Sequence, residues 1–151
     1  MQDMTDIFGP VISSYTRADA IADGVLVDMT EGEFGKMAQE YGFVVPIAMT
    51  VEAFTATVAT DKAQRAIGQD EPGRWWDVLT MLKHAISRRE VGSDRVEFAV
   101  QVANGRTWPS GAWRHERVEL WCHSGKANKA HGPLAGDGGE HVLTIMLRGQ
   151  D

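Results

Sequence analysis

The stretch RWWDVLTMLKHAISRR, residues 74–89, decides the layout of the fold because its apolar residues recur at helical spacing. Acidic residues precede the stretch and Arg88 and Arg89 end it, and both charges complement the dipole of a helix. The pattern predicts one long amphipathic helix over about 74–89, whose apolar stripe needs a second layer to pack against. That stripe consists of Trp75, Val78, Leu79, Leu82 and Ile86.

The C-terminal third supplies that second layer, because its apolar residues alternate with polar ones. This period of two is typical of antiparallel strands that are covered on one face. Helices that precede strands favour an α+β fold over a parallel α/β fold. We therefore expect short N-terminal helices, then the long helix packed on an antiparallel sheet of at least three strands, about 95–103, 116–124 and 140–147. A chain of 151 residues predicts a single domain over 1–151.

Short elements are predicted upstream of the long helix, separated by glycines and capping residues. These residues have a complete structural explanation and need no chemical one. The expected elements are a helix over 17–22 capped by Thr16, a strand over 25–27, a helix from Thr30 to Gly42, an extended segment over 43–48 with Pro46 at an edge or non-ladder position, a helix over 51–58 capped by Thr50, and a mostly irregular segment over 60–73.

Composition excludes several classes of protein. A hydrophobic content of 43% with five tryptophans excludes a disordered chain, and one cysteine excludes an intrachain disulfide and a multi-cysteine zinc site. The start MQDMTDIF lacks the basic and apolar regions of a signal peptide, and the longest apolar runs, 25–27 and 43–49, are too short to cross a membrane. We expect a soluble, cytoplasmic protein with no membrane partner.

The net charge of −6 is unevenly distributed along the chain. Residues 1–75 hold twelve acids and five bases (−7), whereas residues 76–151 hold nine acids and ten bases (+1). An acidic half repels nucleic-acid phosphates, so a nucleic-acid partner is not expected. The acids favour a basic protein partner, or they serve only solubility.

Four histidines and the single cysteine crowd the last third of the chain, which raises the question of a metal site. Neighbouring residues of a strand point to opposite faces, so Cys122 and His123 cannot share one ion. No H-x-x-x-H or C-x-x-C spacing places two ligands on one element. We therefore predict no metal. The residues concerned are His115, Cys122, His123, His131 and His141.

Nucleophilic and phosphate-binding motifs are equally weak. Cys122 falls on the apolar face of its strand, where a thiol is an inert core group with a raised pKa. No G-x-S-x-G elbow occurs, and Ser124 is only a sequence neighbour of His123. The glycines of 136–139 precede a strand instead of a helix and lack the Lys-Ser/Thr of a phosphate loop. No catalytic residue and no cofactor is predicted, and whether the protein is an enzyme stays open, with a leaning towards none.

Two groups of residues are candidates for binding. The loop NGRTWPSGAWRHER, 104–117, interleaves tryptophans with arginines, which are residues that anchor interfaces. The alternative is that both tryptophans fold back on the sheet. Acids of the N-terminal half form the second candidate surface and would steer a partner electrostatically, or would imitate DNA phosphates. The candidate residues are Arg106, Trp108, Trp113 and Arg114 in the loop, and Asp23, Asp28 and Glu31 among the acids.

Three segments resemble an uncharacterised family of small proteins carried by phages, plasmids and integrative elements. They are DIFGPVISSYTRADAIADGVLVDMT (6–30), GRWWDVLTMLKHAI (73–86) and VLTIMLRGQD (142–151). The resemblance runs nearly end to end, although family members often finish in a Leu-Pro-Gly-Glu-Asp-like tail and this chain has Leu-Arg-Gly-Gln-Asp. The family has no established catalytic residues. The resemblance implies a genomic setting in which small acidic proteins block host defence.

The expected function is that of a non-enzymatic binding protein of a mobile genetic element. Its role would be to inhibit a host defence complex of the anti-CRISPR or antirestriction type, with a defence nuclease complex as the protein partner. One alternative is a small enzyme or ligand-binding domain that uses the Trp/Arg/His loop and the loop 124–139. The other is an accessory protein with neither role.

Overall fold

The computed structural model describes residues 15–90, 92–125, 132–134 and 140–150. These ranges form helices and a five-stranded sheet, which confirms the α+β class. The helices are α1 (Arg17–Ala22), α2 (Gly32–Glu40), α3 (Val51–Thr57), α4 (Lys62–Ala66), α5 (Glu71–Ser87) and a 3₁₀-helix (Gly132–Leu134). The strands are β1 (Leu26–Asp28), β2 (Ile47–Thr50), β3 (Arg95–Thr107), β4 (Trp113–Gly125) and β5 (Val142–Leu147). None of the helices in these ranges has the length and apolar content needed to cross a membrane.

The sheet has the strand order β1-β2-β5-β4-β3, so that β5 lies at its centre. The three predicted strands are confirmed as β3, β4 and β5, and they pair antiparallel. Two further strands extend this antiparallel part of the sheet, and β2 pairs with β5 in parallel, with Ile47 opposite Leu143 and Met49 opposite Ile145. The sheet is therefore mixed.

The central strand β5 is covered on both of its faces. Every residue from Val142 to Met146 is buried, so both faces of the strand are occupied. A nearly continuous apolar run is typical of a strand with no solvent-exposed face. The alternation of apolar residues in the sequence accounts only for the face of β5 that carries Leu143 and Ile145. The opposite face carries Thr144 and Met146.

Helix α5 covers one face of the sheet with the predicted stripe. Trp75, Val78, Leu79 and Leu82 are all at most 1% exposed and belong to one apolar cluster with residues of β3, β4 and β5. The helix begins at Glu71, three residues before the predicted start, because the Asp70 carboxylate accepts the backbone N–H of Gly73 at 2.7 Å and Pro72 suits the first turn. The stripe was predicted correctly and the boundary was not.

Two further helices extend this layer around Trp75. Its indole Nε1 donates to the backbone oxygen of Phe34 in α2 at 3.0 Å, and the two rings meet edge-on at 6.3 Å. Phe34 in turn meets Phe54 of α3 edge-on at 6.2 Å. Since edge-to-face contacts add to the energy of burial, Trp75 joins α2, α3 and α5 into one layer.

Helix α1 covers the opposite face of the sheet through a buried arginine. Thr16 and Asp19 form the predicted capping box, which confirms this helix. The Arg17 side chain is 5% exposed and donates to the backbone oxygen of Leu143 and to Thr144 Oγ1, both at 2.6 Å. It also donates to the oxygen of Pro133 at 3.1 Å, so one guanidinium ties α1, β5 and the 3₁₀-helix together.

Several predicted boundaries in the N-terminal half are wrong. Helix α2 is capped at Glu31 and not at Thr30, because the Thr30 hydroxyl bonds instead to the backbone of Ile47. The first strand lies at 26–28, one residue later than predicted. The extended segment predicted at 43–48 forms a strand only from Ile47, and that strand lies inside the sheet, with Pro46 just outside the ladder.

The segment 60–73, predicted to be mostly irregular, contains helix α4 and the start of α5. Asp61 and Gln64 form a capping box, in which the side-chain oxygen of each residue accepts the backbone N–H of the other. Gln64 Nε2 also donates to the oxygen of Ala103 at 3.0 Å, so α4 is held against β3. The Asp-x-x-Gln spacing that signals such a cap is present in the sequence.

Leu82→Ala is expected to lower the free energy of unfolding by about 2–5 kcal/mol, because the truncated side chain leaves a cavity among fully buried neighbours. Chemical denaturation followed by tryptophan fluorescence measures the change. His84→Ala, on the exposed side of the same helix, should stay within about 0.5 kcal/mol of the original protein. A change below about 1 kcal/mol for Leu82→Ala would mean that the stripe is not the core.

Candidate functional site

Residues 104–117, predicted to be a loop, form the tip of a long β-hairpin. Strands β3 and β4 pair from Arg95 opposite His123 to Thr107 opposite Trp113, with an irregularity between residues 103 and 107. Two backbone hydrogen bonds of 2.8 Å, which join Trp108 to Gly111 and to Ala112, close the turn. Gly111 has a φ of +90°, which glycine adopts without strain. The interpretation as a loop is wrong, since the candidate residues stand on a hydrogen-bonded ribbon.

Both tryptophans of this tip are exposed. Trp108 is 52% exposed and Trp113 is 46% exposed, so the alternative in which they fold back on the sheet is wrong. The Arg114 guanidinium lies over the Trp108 ring at 4.3 Å from its centroid, a cation–π contact that orders both side chains. Arg106 is exposed on the same ribbon. The hairpin tip, defined as Arg106, Trp108, Trp113 and Arg114, therefore presents apolar and cationic groups together.

The three candidate acids lie elsewhere. Asp23 follows α1 and accepts a hydrogen bond from the Tyr15 hydroxyl at 3.0 Å, and Asp28 accepts the backbone N–H of Thr30 at 2.9 Å. Glu31 occupies the N-cap position of α2 without a capping side-chain bond. Two of the three acids thus organise local turns.

The acids and the hairpin tip are separated by the sheet. Asp28 lies in β1 and the tip joins β3 to β4, and β1 and β3 are the two outer strands. Four strand spacings of about 4.8 Å place these edges about 19 Å apart. The structure does not bring the two candidate groups together, and a partner would contact one of them or span the sheet.

A different pairing brings Ser124 to a histidine. The Ser124 hydroxyl is in hydrogen-bond contact with Nε2 of His141, and both border a cavity of about 220 Å³. Cys122 and Asp94 also line this cavity, and the Ser124 N–H donates to the oxygen of Asp94 at 2.7 Å. A hydroxyl beside a neutral imidazole is a nucleophile paired with a base. The sequence neighbour His123 takes no part, because alternation turns it to the other face of β4.

The remaining histidines do not form a metal site in the ranges that the structure describes. No group of three His, Cys, Asp or Glu side chains that could hold an ion occurs there. His115 is exposed on the hairpin, and Nδ1 of His123 is buried and has no hydrogen-bond partner among the described residues. His131 and residues 136–139 lie outside the described residues.

The single thiol is deeply buried. Cys122 is 2% exposed, and burial raises its pKa from 9.0 to about 12 despite the opposing influence of nearby Arg17. Because the thiolate is the reactive form, this position is unsuited to nucleophilic chemistry near neutral pH. The predicted raised pKa is confirmed.

The structure also contains a groove that the sequence did not single out. It has a volume of about 620 Å³ and lies between the end of α5 and strands β3 and β4. Its arginines come from four separate segments of the chain, so no local motif marks it. The one local signal, Arg88 beside Arg89, was interpreted as a complement to the helix dipole.

The fold and surfaces define a class: a small α+β protein with a mixed five-stranded sheet and an exposed tryptophan–arginine hairpin. Residues 4–151 match the model of a family described as "Family of unknown function (DUF6573)", and the chain belongs to that family. No curated protein and no solved structure matches the chain. The expected membership of an uncharacterised family is confirmed at this level.

Cys122 is expected to be inert towards an aromatic disulfide reagent at pH 8, reacting at least about 100-fold more slowly in the folded protein than in urea. Absorbance of the released thiolate measures the rate, and Cys122→Ala, which removes the only thiol, gives the baseline. A raised folded pKa means that the neutral thiol contributes stability below pH 9 that is lost as the pH rises from 9 towards 12. Rapid labelling of the folded protein would contradict the buried position.

Proposed function

We propose that this protein is a non-enzymatic binding protein of a mobile genetic element that inhibits a host defence complex. The anti-CRISPR or antirestriction type is the form proposed, and the partner is a protein of a defence nuclease complex in the cytoplasm. The observation that supports it best is the exposed tryptophan pair on the hairpin tip. The mobile-element setting and the anti-defence role rest on the resemblance of the opening, helix and terminal motifs.

The hairpin tip has the chemistry of an interface anchor. Tryptophan and arginine are enriched among the residues that carry binding energy: tryptophan covers a large area with only two rotatable bonds, and arginine offers a planar, charged fork of hydrogen-bond donors. Trp108 and Trp113 leave about half of their surface open, and the turn beneath them is hydrogen-bonded. An ordered ribbon loses little conformational entropy when a partner covers it, which favours tight binding.

The acids have a different role in this proposal. Asp28 is half-buried in the outer strand β1, whereas Asp23 and Glu31 are exposed, so these acids would act over distance on a basic partner. Exposed charges change association rates more than the strength of the final complex, and salt screens them. The surface of a nuclease that holds DNA is basic, which matches an acidic N-terminal half.

Trp108→Ala and Trp113→Ala are each expected to weaken binding to the purified defence complex by about 2 kcal/mol or more, the threshold of an energetic hot spot. Calorimetry measures the affinity. Plaque counts in a defence-positive host and in its defence-deleted twin measure the protective effect. Trp76→Ala removes a tryptophan of similar exposure, 43%, from α5 and should leave binding within about twofold.

One outcome would defeat the proposal, and a second would move the interface away from the hairpin tip. One is the absence of protection in the defence-positive host by the original protein, which removes the anti-defence role. The other is that both tryptophan variants bind normally while Asp23→Asn with Glu31→Gln abolishes binding even at high salt. That second pattern would assign the interface to an acidic surface that imitates DNA.

A second candidate function is favoured by the contact between Ser124 and His141. If this pair acts on an ester, Ser124 Oγ attacks the carbonyl carbon while His141 Nε2 accepts the hydroxyl proton, and the departing alkoxide takes that proton. Water then hydrolyses the acyl group on Ser124. The cavity of about 220 Å³ limits such a substrate to a small one.

A fluorophosphonate reagent tests the second candidate directly. If the pair is reactive, the original protein gains one covalent label by mass spectrometry, and Ser124→Ala gains none. Ser110→Ala, in the exposed turn of the hairpin, should label as the original protein does. Absence of any label on the original protein would exclude this second candidate and leave the binding role as the remaining one.

A further inference from the structure

The cavity of about 220 Å³ beside Ser124 has an apolar floor. Cys122 and Leu143 are at most 8% exposed and belong to the apolar cluster under α5, and Val96 packs against that cluster. The floor of the cavity is therefore part of the core. Its apolar lining residues are Val45, Ile86, Val96, Cys122 and Leu143.

Polar groups complete the lining of this cavity. The Ser124 hydroxyl is in contact with Nε2 of His141, and alternation along β4 places Ser124 on the same face as Cys122. The pair therefore borders the apolar floor. A mostly apolar cavity with a few convergent polar groups is typical of a site for a small molecule. The polar lining residues are Arg89, Ser93, Asp94, Arg95, Ser124 and His141.

The charges of the lining favour an anionic ligand, because two arginines face one aspartate. Arg95 lies over the Trp121 ring at 3.8 Å, and both Arg95 and Asp94 make further interactions within the protein. Arg89 donates to the oxygen of Ile86 at 3.0 Å, which holds its guanidinium beside a cavity that Ile86 also lines. This bond uses one of several N–H donors of the guanidinium, so Arg89 can also bind a carboxylate.

The end of α5 beside the cavity does not oppose a negative ligand. The last carbonyl groups of a helix carry partial negative charge. Here the oxygens of Ala85 and Ile86 accept the backbone N–H groups of Arg88 and Arg89, both at 3.2 Å. The two arginine side chains add positive charge at the same place, so a carboxylate beside Arg89 meets a positive environment.

The volume of the cavity sets the size of the ligand. A molecule of liquid water takes about 30 Å³, so about 220 Å³ holds about seven groups of that size. A carboxylate with about four to six carbon atoms has about this number of non-hydrogen atoms.

We propose that this cavity binds a short-chain carboxylate of about four to six carbons, with its alkyl chain on the apolar floor and its carboxylate between Arg89 and Ser124. The Ser124 hydroxyl donates to the carboxylate when Nε2–H of His141 donates to Ser124 Oγ. An ester of such an acid is then the substrate class of the second candidate function, and this extension rests on the proposed function. Binding of the acid itself does not require a reactive serine.

Titration of the ¹⁵N-labelled full chain with 3-methylbutanoate, followed by NMR, tests the proposal. We expect saturable shifts of the amide signals of Ser93 and Ser124. Arg89→Gln should weaken binding at least about tenfold, because it removes a charge-assisted hydrogen bond. Arg88→Gln removes the neighbouring cation, which does not line this cavity, and should alter the affinity by less than about twofold. Thermal unfolding of each variant verifies that it is folded.

Ligands related to 3-methylbutanoate separate charge from size. 3-Methylbutanamide has the same shape without the charge and should bind at least about tenfold more weakly. Acetate should also bind at least about tenfold more weakly, because each buried methylene contributes about fourfold in affinity. Diphenylacetate keeps the carboxylate but exceeds the volume of the cavity, and it should not bind.

Several outcomes would overturn the proposal. The absence of saturable shifts with 3-methylbutanoate would remove the site. Equal binding of the amide, or undiminished binding by Arg89→Gln, would remove the carboxylate as the recognised group. Tighter binding of 3-methylbutan-1-amine would instead make the cavity a cation site beside Asp94.

The fluorophosphonate assay separates this proposal from the second candidate function. A label on Ser124 without binding of 3-methylbutanoate would support a reactive serine and overturn this ligand. Binding of 3-methylbutanoate without a label would support the ligand and exclude ester hydrolysis. Ser124→Ala should still bind 3-methylbutanoate, because Arg89 and the apolar floor remain.

Discussion

The hydrogen-bonded ladders on both sides of β5 are the constraint on which the rest of the structure depends. On one side β5 pairs in parallel with β2, and on the other it pairs antiparallel with β4. Without it, the β1–β2 ribbon and the β3–β4 hairpin share no sheet, since no other strand pairing joins them in the described ranges. Arg17 reinforces this centre from the second face by donating to Leu143 and Thr144.

Local patterns predicted the elements of this fold better than their arrangement. The stripe of α5 and the alternation of β3 and β4 are properties of neighbouring residues, and they were predicted from spacing alone. The pairing of β2 with β5 joins residues almost one hundred positions apart, and no local pattern encodes such a partner. The capping box at Asp61 was encoded locally, but a polar and glycine-containing segment obscured it.

The candidate sites show the same division between local and distant information. The tryptophans and arginines of the hairpin tip are close in sequence, so they could be identified together, although their exposure depends on a turn that only the structure defines. The contact of Ser124 with His141 and the arginines of the groove beside α5 join separate segments. A motif of consecutive residues cannot identify side chains that only the sheet brings together.

The strand order also bears on how the chain is synthesised. Strand β2 ends at Thr50 and its parallel partner begins at Val142, so a ribosome adding about 5–20 residues per second needs about 5–18 s to supply the second strand after the first. During that interval the apolar edge of β2 has no ladder partner on the side that β5 later fills, and unpaired edges recruit strands from other chains. Rapid completion of translation and chaperone cover of β2 therefore matter more to this protein than to one whose sheet assembles from sequential hairpins.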